Sequence, residues 1–121
     1  MKYDVVIIGA GAVGLATGLR LLNQNPNLNI LIVDKEKKVG CHQTGHNSGV
    51  IHSGLYYKPG SLKALNCIRG YRLLLDFLQE NNVPHEVCGK IIIATDASEL
   101  PQLDKLYHRG IENGLTNLTL L

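Results

Sequence analysis

The chain has 121 residues, is 45% hydrophobic and 18% charged, and carries a formal charge of +2. That length suits one domain at roughly 100–200 residues per domain, and the balance is that of an ordinary globular chain. The charge is too small to argue for a nucleic-acid or membrane-surface partner, and the cluster Lys35, Lys37 and Lys38 is interleaved with Asp34 and Glu36.

Met1-Lys2 before an apolar run imitates a signal peptide, but Asp4 interrupts the basic region and Val5-Val6-Ile7-Ile8 is followed at once by Gly9. No apolar run reaches the roughly 18 residues of a transmembrane span. The start reads as the mature start of a cytoplasmic protein. Tyr3 to Ile8 predicts a central parallel strand buried on both faces. Gly9 to Gly14 predicts a turn, and Ala12 to Gln24 a helix with Leu15, Leu19 and Leu22 on one face. Asn25-Pro26 stops it, and Ile30 to Val33 predicts a second buried strand ending at Asp34. Strand, glycine turn, helix and strand make a βαβ unit, so the fold class is α/β.

Lys35 to Gly60 has no sustained period and is rich in Gly, His, Ser and Asn; a stretch of this kind inside a domain points to function. Pro59-Gly60-Ser61 announces a helix from Leu62 to Glu80, with Leu65, Ile68, Leu75 and Leu78 as a core-packing stripe. Asn81-Asn82-Val83-Pro84 breaks it, and Lys90 to Thr95 predicts a strand. Asp96 and Glu99 have capping-box spacing and open a helix carrying Leu100, Leu103, Tyr107 and Ile111, closed by Gly114. Leu115 to Leu121 is strand-like. Cys41, Cys67 and Cys88 are odd in number without a Cys-x-x-Cys, which favours a reducing compartment. Cys67 and Cys88 are expected to be buried small hydrophobes.

Gly9-Ala10-Gly11-Ala12-Val13-Gly14 fits G-x-G-x-x-G. Gly9 permits the tight turn, Gly11 lets a pyrophosphate approach the backbone, and Gly14 lets the helix pack close to the sheet. The helix N-terminus offers N–H groups and a positive dipole end to the phosphates. Asp34 follows Gly14 by about 20 positions, where a carboxylate accepts hydrogen bonds from ribose hydroxyls and repels the 2′-phosphate of NADP. The turn alone allows either FAD or NAD. The polar loop Cys41 to Gly54 favours FAD, a long ligand that needs a second clamp. His42, His46 and His52 lack a carboxylate or cysteine to complete a metal set, so no metal is expected.

His42-Gln43-Thr44-Gly45-His46-Asn47-Ser48-Gly49-Val50-Ile51-His52-Ser53-Gly54, followed by Tyr56-Tyr57-Lys58-Pro59-Gly60-Ser61-Leu62-Lys63-Ala64, closely resembles the L-2-hydroxyglutarate dehydrogenases and oxidases. These belong to the FAD-dependent oxidoreductases of D-amino-acid oxidase type. Cys88-Gly89-Lys90 before an apolar run, and Gly110 to Gly114, look like the same enzymes.

The resemblance implies a Rossmann-like FAD-binding βαβ unit, with residues 1–86 as the N-terminal part of the FAD domain and residues 87–121 as the start of a substrate-binding α+β domain. It implies oxidation of L-2-hydroxyglutarate to 2-oxoglutarate, with oxygen or a quinone-type acceptor taking the electrons. It assigns FAD contacts to Gly9, Gly11, Gly14, Asp34, Lys35, Thr44, Gly45, Asn47, Ser48, Gly49 and Val50, about half of the loop residues touching FAD and the rest holding the loop in local turns. His52 is the catalytic candidate, since histidine suits a general base near neutral pH. Enzymes of this family need several hundred residues. The chain is therefore expected to be an N-terminal fragment with no turnover of its own, and peripheral membrane contact belongs, if anywhere, to the full-length enzyme. Two other readings stay open: another FAD-dependent 2-hydroxy-acid or amino-acid oxidoreductase of the superfamily, and a non-catalytic nucleotide-binding module.

Overall fold

Val5–Ile8 (β1) and Ile30–Val33 (β2) pair in parallel in the computed structural model, which describes residues 2–121. Met1, the expected mature start, lies outside them. The register sets Val5 opposite Ile30 and Ile8 opposite Val33. Below the strands, Asp4 and Asn29 fix it: the Asp4 amide donates to the Asn29 carbonyl at 2.9 Å, and the Asn29 amide donates to Asp4 Oδ2 at 2.9 Å. Parallel strands need a crossover, and Ala12–Gln24 (α1) supplies it.

β1 is not buried on both faces. Val5 and Ile7 are half-buried on the side toward α1, while Val6 and Ile8 are exposed, Ile8 at 89%. One helix covers one face of a two-stranded sheet, and no element of the described residues covers the other. The face that α1 turns to the sheet also differs from the expected leucine stripe. It runs through Gly14, Gly18 and Leu21, while Leu15, Leu19 and Leu22 stay exposed. A Cβ at Gly18 would lie 3.2 Å from Ile32 Cδ1 and 3.4 Å from Ile7 Cδ1, so bare backbone is what lets helix and strands meet.

The chain divides into two compact units, the first ending at Val50 and the second covering Ile51–Leu121. In the second, Leu62–Glu80 (α2) begins at Ser61, whose Oγ accepts the Ala64 amide at 3.2 Å. Its packed stripe runs from fully buried Ala64 through Ile68, Tyr71, Leu75 and Leu78; Leu65, expected in the stripe, is 55% exposed. α2 ends with Asn82 at φ 53, the Val83 amide on the Leu78 carbonyl and the Asn82 amide on the Gln79 carbonyl, the bond pair of a Schellman close.

The Asp96/Glu99 pair opens a 3₁₀ turn, Ala97–Glu99, which leads into Leu100–Glu112 (α3). Asp96 accepts the Ser98 amide at 2.8 Å, and Glu99 Oε2 accepts the Thr95 amide at 2.8 Å, one residue earlier than a capping box requires. The Ser98 hydroxyl foremost, and then the Ser98 amide, holds the Asp96 carboxyl below its ordinary range, and the Thr95 amide and then its hydroxyl do the same for Glu99. Leu103, Leu106, Tyr107 and Gly110 form the inward face of α3; Leu100 and Ile111 are exposed. Gly114 closes the helix as expected, with the Leu115 amide on the Gly110 carbonyl.

Two expected strands do not form. Lys90 to Thr95 keeps a two-residue alternation, with Ile92 and Ala94 half-buried and Ile91 and Ile93 exposed, but no ladder partner stands beside it among the described residues. Leu115 to Leu121 is likewise irregular. Cys67 is half-buried, whereas Cys88 is exposed rather than buried. No described helix is long and apolar enough to cross a membrane.

Candidate dinucleotide site

The glycine turn leaves β1 with Gly9 at φ 110, a conformation closed to other residues at low cost, while the Gly9 amide donates to the Val33 carbonyl at 2.7 Å. A Cβ at Gly14 would collide with the Gly9 carbonyl oxygen, so Gly14 is what allows the first turn of α1 to fold back against the strand end. Gly11 is the N-cap of α1 and makes no side-chain cap bond. In a helix the first amide N–H groups have no helical acceptor. At α1 one of them, on Ala12, donates to Thr44 Oγ1 at 2.9 Å.

Asp34, at the end of β2, accepts two backbone amides. Its Oδ2 accepts the Ala10 amide at 2.7 Å and its Oδ1 accepts the Glu36 amide at 2.9 Å. These two bonds, the Ala10 one foremost, hold the carboxyl below its ordinary range, with smaller attractions from His42 and Lys35 and a small opposing effect of burial. The side chain is exposed, so lone pairs remain for a further donor. Lys35 is exposed at the same strand end.

The loop after Asp34 folds back onto the turn. The Gly40 amide donates to the Ala10 carbonyl at 3.0 Å, and Thr44 reaches Ala12. A Cβ at Gly45 would stand 2.5 Å from the Gly40 carbonyl oxygen, so the chain is tightly wound here. Asn47 holds the loop: its Nδ2 donates to the Thr44 carbonyl at 2.8 Å and the Gln43 carbonyl at 3.0 Å, and its Oδ1 accepts the Gly49 amide at 2.7 Å. Gly49 sits at φ 67, and Ser48 and Val50 are exposed. His42 Nε2 pairs with Glu36 Oε1 at 3.1 Å, and His46 Nδ1 donates to the His42 carbonyl at 2.9 Å, so both rings close turns within the loop. No group of three metal-ligating side chains converges among the described residues.

Gly9, Gly11, Gly14, Asp34 and Thr44 thus meet around one helix N-terminus, and Asn47 ties the following loop to Thr44. A diphosphate fits this donor set. The cradle over Gly11 already holds an oxygen, Thr44 Oγ1, which would lie 3.2 Å from a Cβ placed there. Amide donors, a hydroxyl and a positive dipole end converge on that point, and the Asp34 carboxylate stands at the neighbouring strand end. Sequence reasoning did not find the Asp34–Ala10 bond, because backbone amides leave no mark in a sequence.

His52 lies in the second unit. It is exposed, and its carbonyl accepts Cys67 Sγ–H at 3.2 Å. Beyond it, the turn Gly54 to Tyr57 closes with the Tyr57 amide on the Gly54 carbonyl at 3.2 Å. Two residues of α3's C-terminal end hold this turn. Asn113 Nδ2 donates to the Tyr57 carbonyl at 2.9 Å and the Gly54 carbonyl at 3.2 Å, and Arg109 Nη1 donates to the Tyr56 carbonyl at 3.1 Å.

A family model described as FAD dependent oxidoreductase matches residues 4–121. The chain is 56% identical over 95% of its length to an L-2-hydroxyglutarate dehydrogenase of Indibacter alkaliphilus. It is 56% identical over 98% to the mitochondrial L-2-hydroxyglutarate dehydrogenase of Dictyostelium discoideum, and 48% identical over 99% to that of Homo sapiens. It spans 29%, 27% and 26% of the length of these three relatives. Among solved structures, a dithionite-reduced L-alpha-glycerophosphate oxidase from Mycoplasma pneumoniae with FAD bound matches 99% of the chain and 30% of its own, with TM-score 0.77 and 30% identity. A nucleotide turn of this geometry, within a match that runs from Asp4 to the last residue, means that the chain belongs to the FAD dependent oxidoreductase family.

Proposed function

We propose that these residues form the FAD-binding beginning of an enzyme that oxidises L-2-hydroxyglutarate to 2-oxoglutarate. The observation that carries the reading is the 56% identity to an L-2-hydroxyglutarate dehydrogenase across 95% of the chain. Gly11 and the first amides of α1 would take the pyrophosphate, with the Thr44 hydroxyl donating to a phosphate oxygen as it accepts from Ala12. Asp34 would bond the adenosine ribose with the lone pairs left by Ala10 and Glu36. Gly45, Asn47, Ser48, Gly49 and Val50 would shape the flavin end, Asn47 by holding the loop. Lys35 is proposed to lie over the adenine.

FAD supplies the acceptor for the hydride leaving C2 of the substrate. His52 is proposed to take the hydroxyl proton, and the electrons to pass on to oxygen or a quinone-type acceptor. Residues 87–121 are proposed as the start of a substrate-binding domain. A second reading, another FAD-dependent hydroxy-acid oxidoreductase, is supported by the fold similarity to the glycerophosphate oxidase.

The test is optical. The protein carrying this chain should purify yellow and bleach anaerobically with L-2-hydroxyglutarate but not with the D-enantiomer. Bleaching by a different hydroxy acid alone favours the second reading, and a colourless protein that binds NAD overturns both.

A further inference from the structure

Cys88-Gly89-Lys90 has the look of a motif but no part in the nucleotide site. In the structure Gly89 stands at φ 75, a left-handed conformation that turns the chain just ahead of Lys90. Lys90 Nζ then lies 4.4 Å from the centroid of the Tyr56 ring, within range of a cation–π contact. Tyr56 belongs to the turn that Asn113 and Arg109 lock through its carbonyls, so the ring beneath the ammonium has a fixed backbone. The turn begins two residues after His52.

Neither Lys90 nor Arg109 has a carboxylate within ion-pair distance among the described residues, where the ion pairs are His42 with Glu36 and His108 with Asp104. An ammonium carries three donors, so one resting on an aromatic face still has donors free for an anion, and it is a compact point charge suited to a single carboxylate. Tyr56 is 47% exposed and Lys90 is exposed, so an anion can reach them.

We propose that Lys90, seated on Tyr56, is a specificity-determining residue that binds one carboxylate of a dicarboxylic substrate, the one remote from the reacting hydroxyl. The inference deepens the proposed oxidation and rests on that reading for its substrate. It gives the exposed Tyr56 ring a role: the ring holds the ammonium in place, and its hydroxyl is dispensable.

The experiment uses the flavin-loaded protein that carries this chain and two unreactive probes, glutarate and valerate, which differ in one carboxylate. Binding is read from the shift of the flavin spectrum or by calorimetry. The wild type should bind glutarate at least about tenfold more tightly than valerate, as expected for one charge-assisted contact. Lys90→Met should bring the two within about threefold, Lys90→Arg should restore the preference, Tyr56→Phe should keep it and Tyr56→Leu should reduce it. In turnover, Lys90→Met should raise KM for L-2-hydroxyglutarate and leave KM for L-2-hydroxyvalerate in place. A Lys90→Met protein that keeps the full preference for glutarate overturns the proposal, as does a wild type with no preference. A Lys90-dependent preference in a protein that L-2-hydroxyglutarate does not bleach supports the carboxylate subsite and overturns the oxidation reading instead.

Discussion

The carboxylate of Asp34 accepts the amide of Ala10 at 2.7 Å across 24 positions of sequence. The acid that would greet a ribose is therefore also the acid that braces the glycine turn. Its ionised form is favoured by that bond, so its folded pKa lies below the ordinary value of 3.8. The sign follows from linkage: a depressed carboxyl contributes stability above the unfolded pKa, and that contribution disappears as pH falls through the folded value.

Acid titration should therefore release the Ala10 amide below about pH 4, read as faster hydrogen exchange or a shift of its amide resonance. In Asp34→Asn the amide oxygen still accepts, but the charge is gone and the pH dependence at Ala10 should vanish. An Ala10 amide whose exchange follows the same acid profile in both proteins would mean that Asp34 does not brace the turn.

Gly14 and Gly11 should separate folding from ligand binding. Gly14→Ala places a Cβ against the Gly9 carbonyl oxygen, a backbone atom that cannot swing aside. A destabilisation of about 1–3 kcal/mol or more is expected from such overpacking, read as a lowered denaturation midpoint. Gly11→Ala meets only Thr44 Oγ1, at 3.2 Å, and a side-chain hydroxyl can shift. That variant should keep its midpoint and lose FAD affinity, because the methyl group blocks the approach of a phosphate. Equal loss of stability in both would remove the distinction.

The contrast between α1 and its expected stripe shows what was legible. Element types in the βαβ unit agree with the sequence reading, because strand, glycine turn and helix each carry a local signal; α1 and β2 keep their expected bounds, while β1 begins at Val5 rather than Tyr3. The packed face did not follow, because hydrophobicity selects Leu15, Leu19 and Leu22, whereas the helix approaches the sheet through Gly14 and Gly18, where side chains are missing. Ile91 and Ile93 kept the period of a strand, but a strand also requires a partner, and periodicity does not supply one. Within the site, local turns in the loop were legible, though not that Asn47 is the residue that ties them. The role of Asn113 was not legible either, since its partners are carbonyls 56 and 59 positions away.

Thr44 should act as a remote cap of α1. Thr44→Val keeps the volume and removes the acceptor of the Ala12 amide, and the expected cost is about 1 kcal/mol, the usual worth of a helix cap. Thr44→Ser should be close to wild type. Saturating FAD should narrow the gap between Thr44→Val and wild type if phosphate oxygens can accept the same amide. A gap that persists in full would mean that the Ala12 amide gains no acceptor from the ligand.

Asn113 holds a turn far from the nucleotide site in sequence. It is 8% exposed, and one amide nitrogen serves two carbonyls, those of Gly54 and Tyr57. Asn113→Leu deletes the donor and leaves the two carbonyls facing an apolar side chain, at an expected cost of about 1–3 kcal/mol. Asn113→Asp should cost more at neutral pH, because it sets a carboxylate against two carbonyl oxygens with little water to screen them. Their pH dependence separates the two: burial and carbonyl repulsion raise the folded pKa of the new acid, so the deficit of Asn113→Asp should shrink as pH is lowered through that pKa, while the deficit of Asn113→Leu stays flat there. Urea denaturation at pH 7 and pH 5 measures both. An aspartate variant as stable as wild type at pH 7 would show that the nitrogen does not hold the turn.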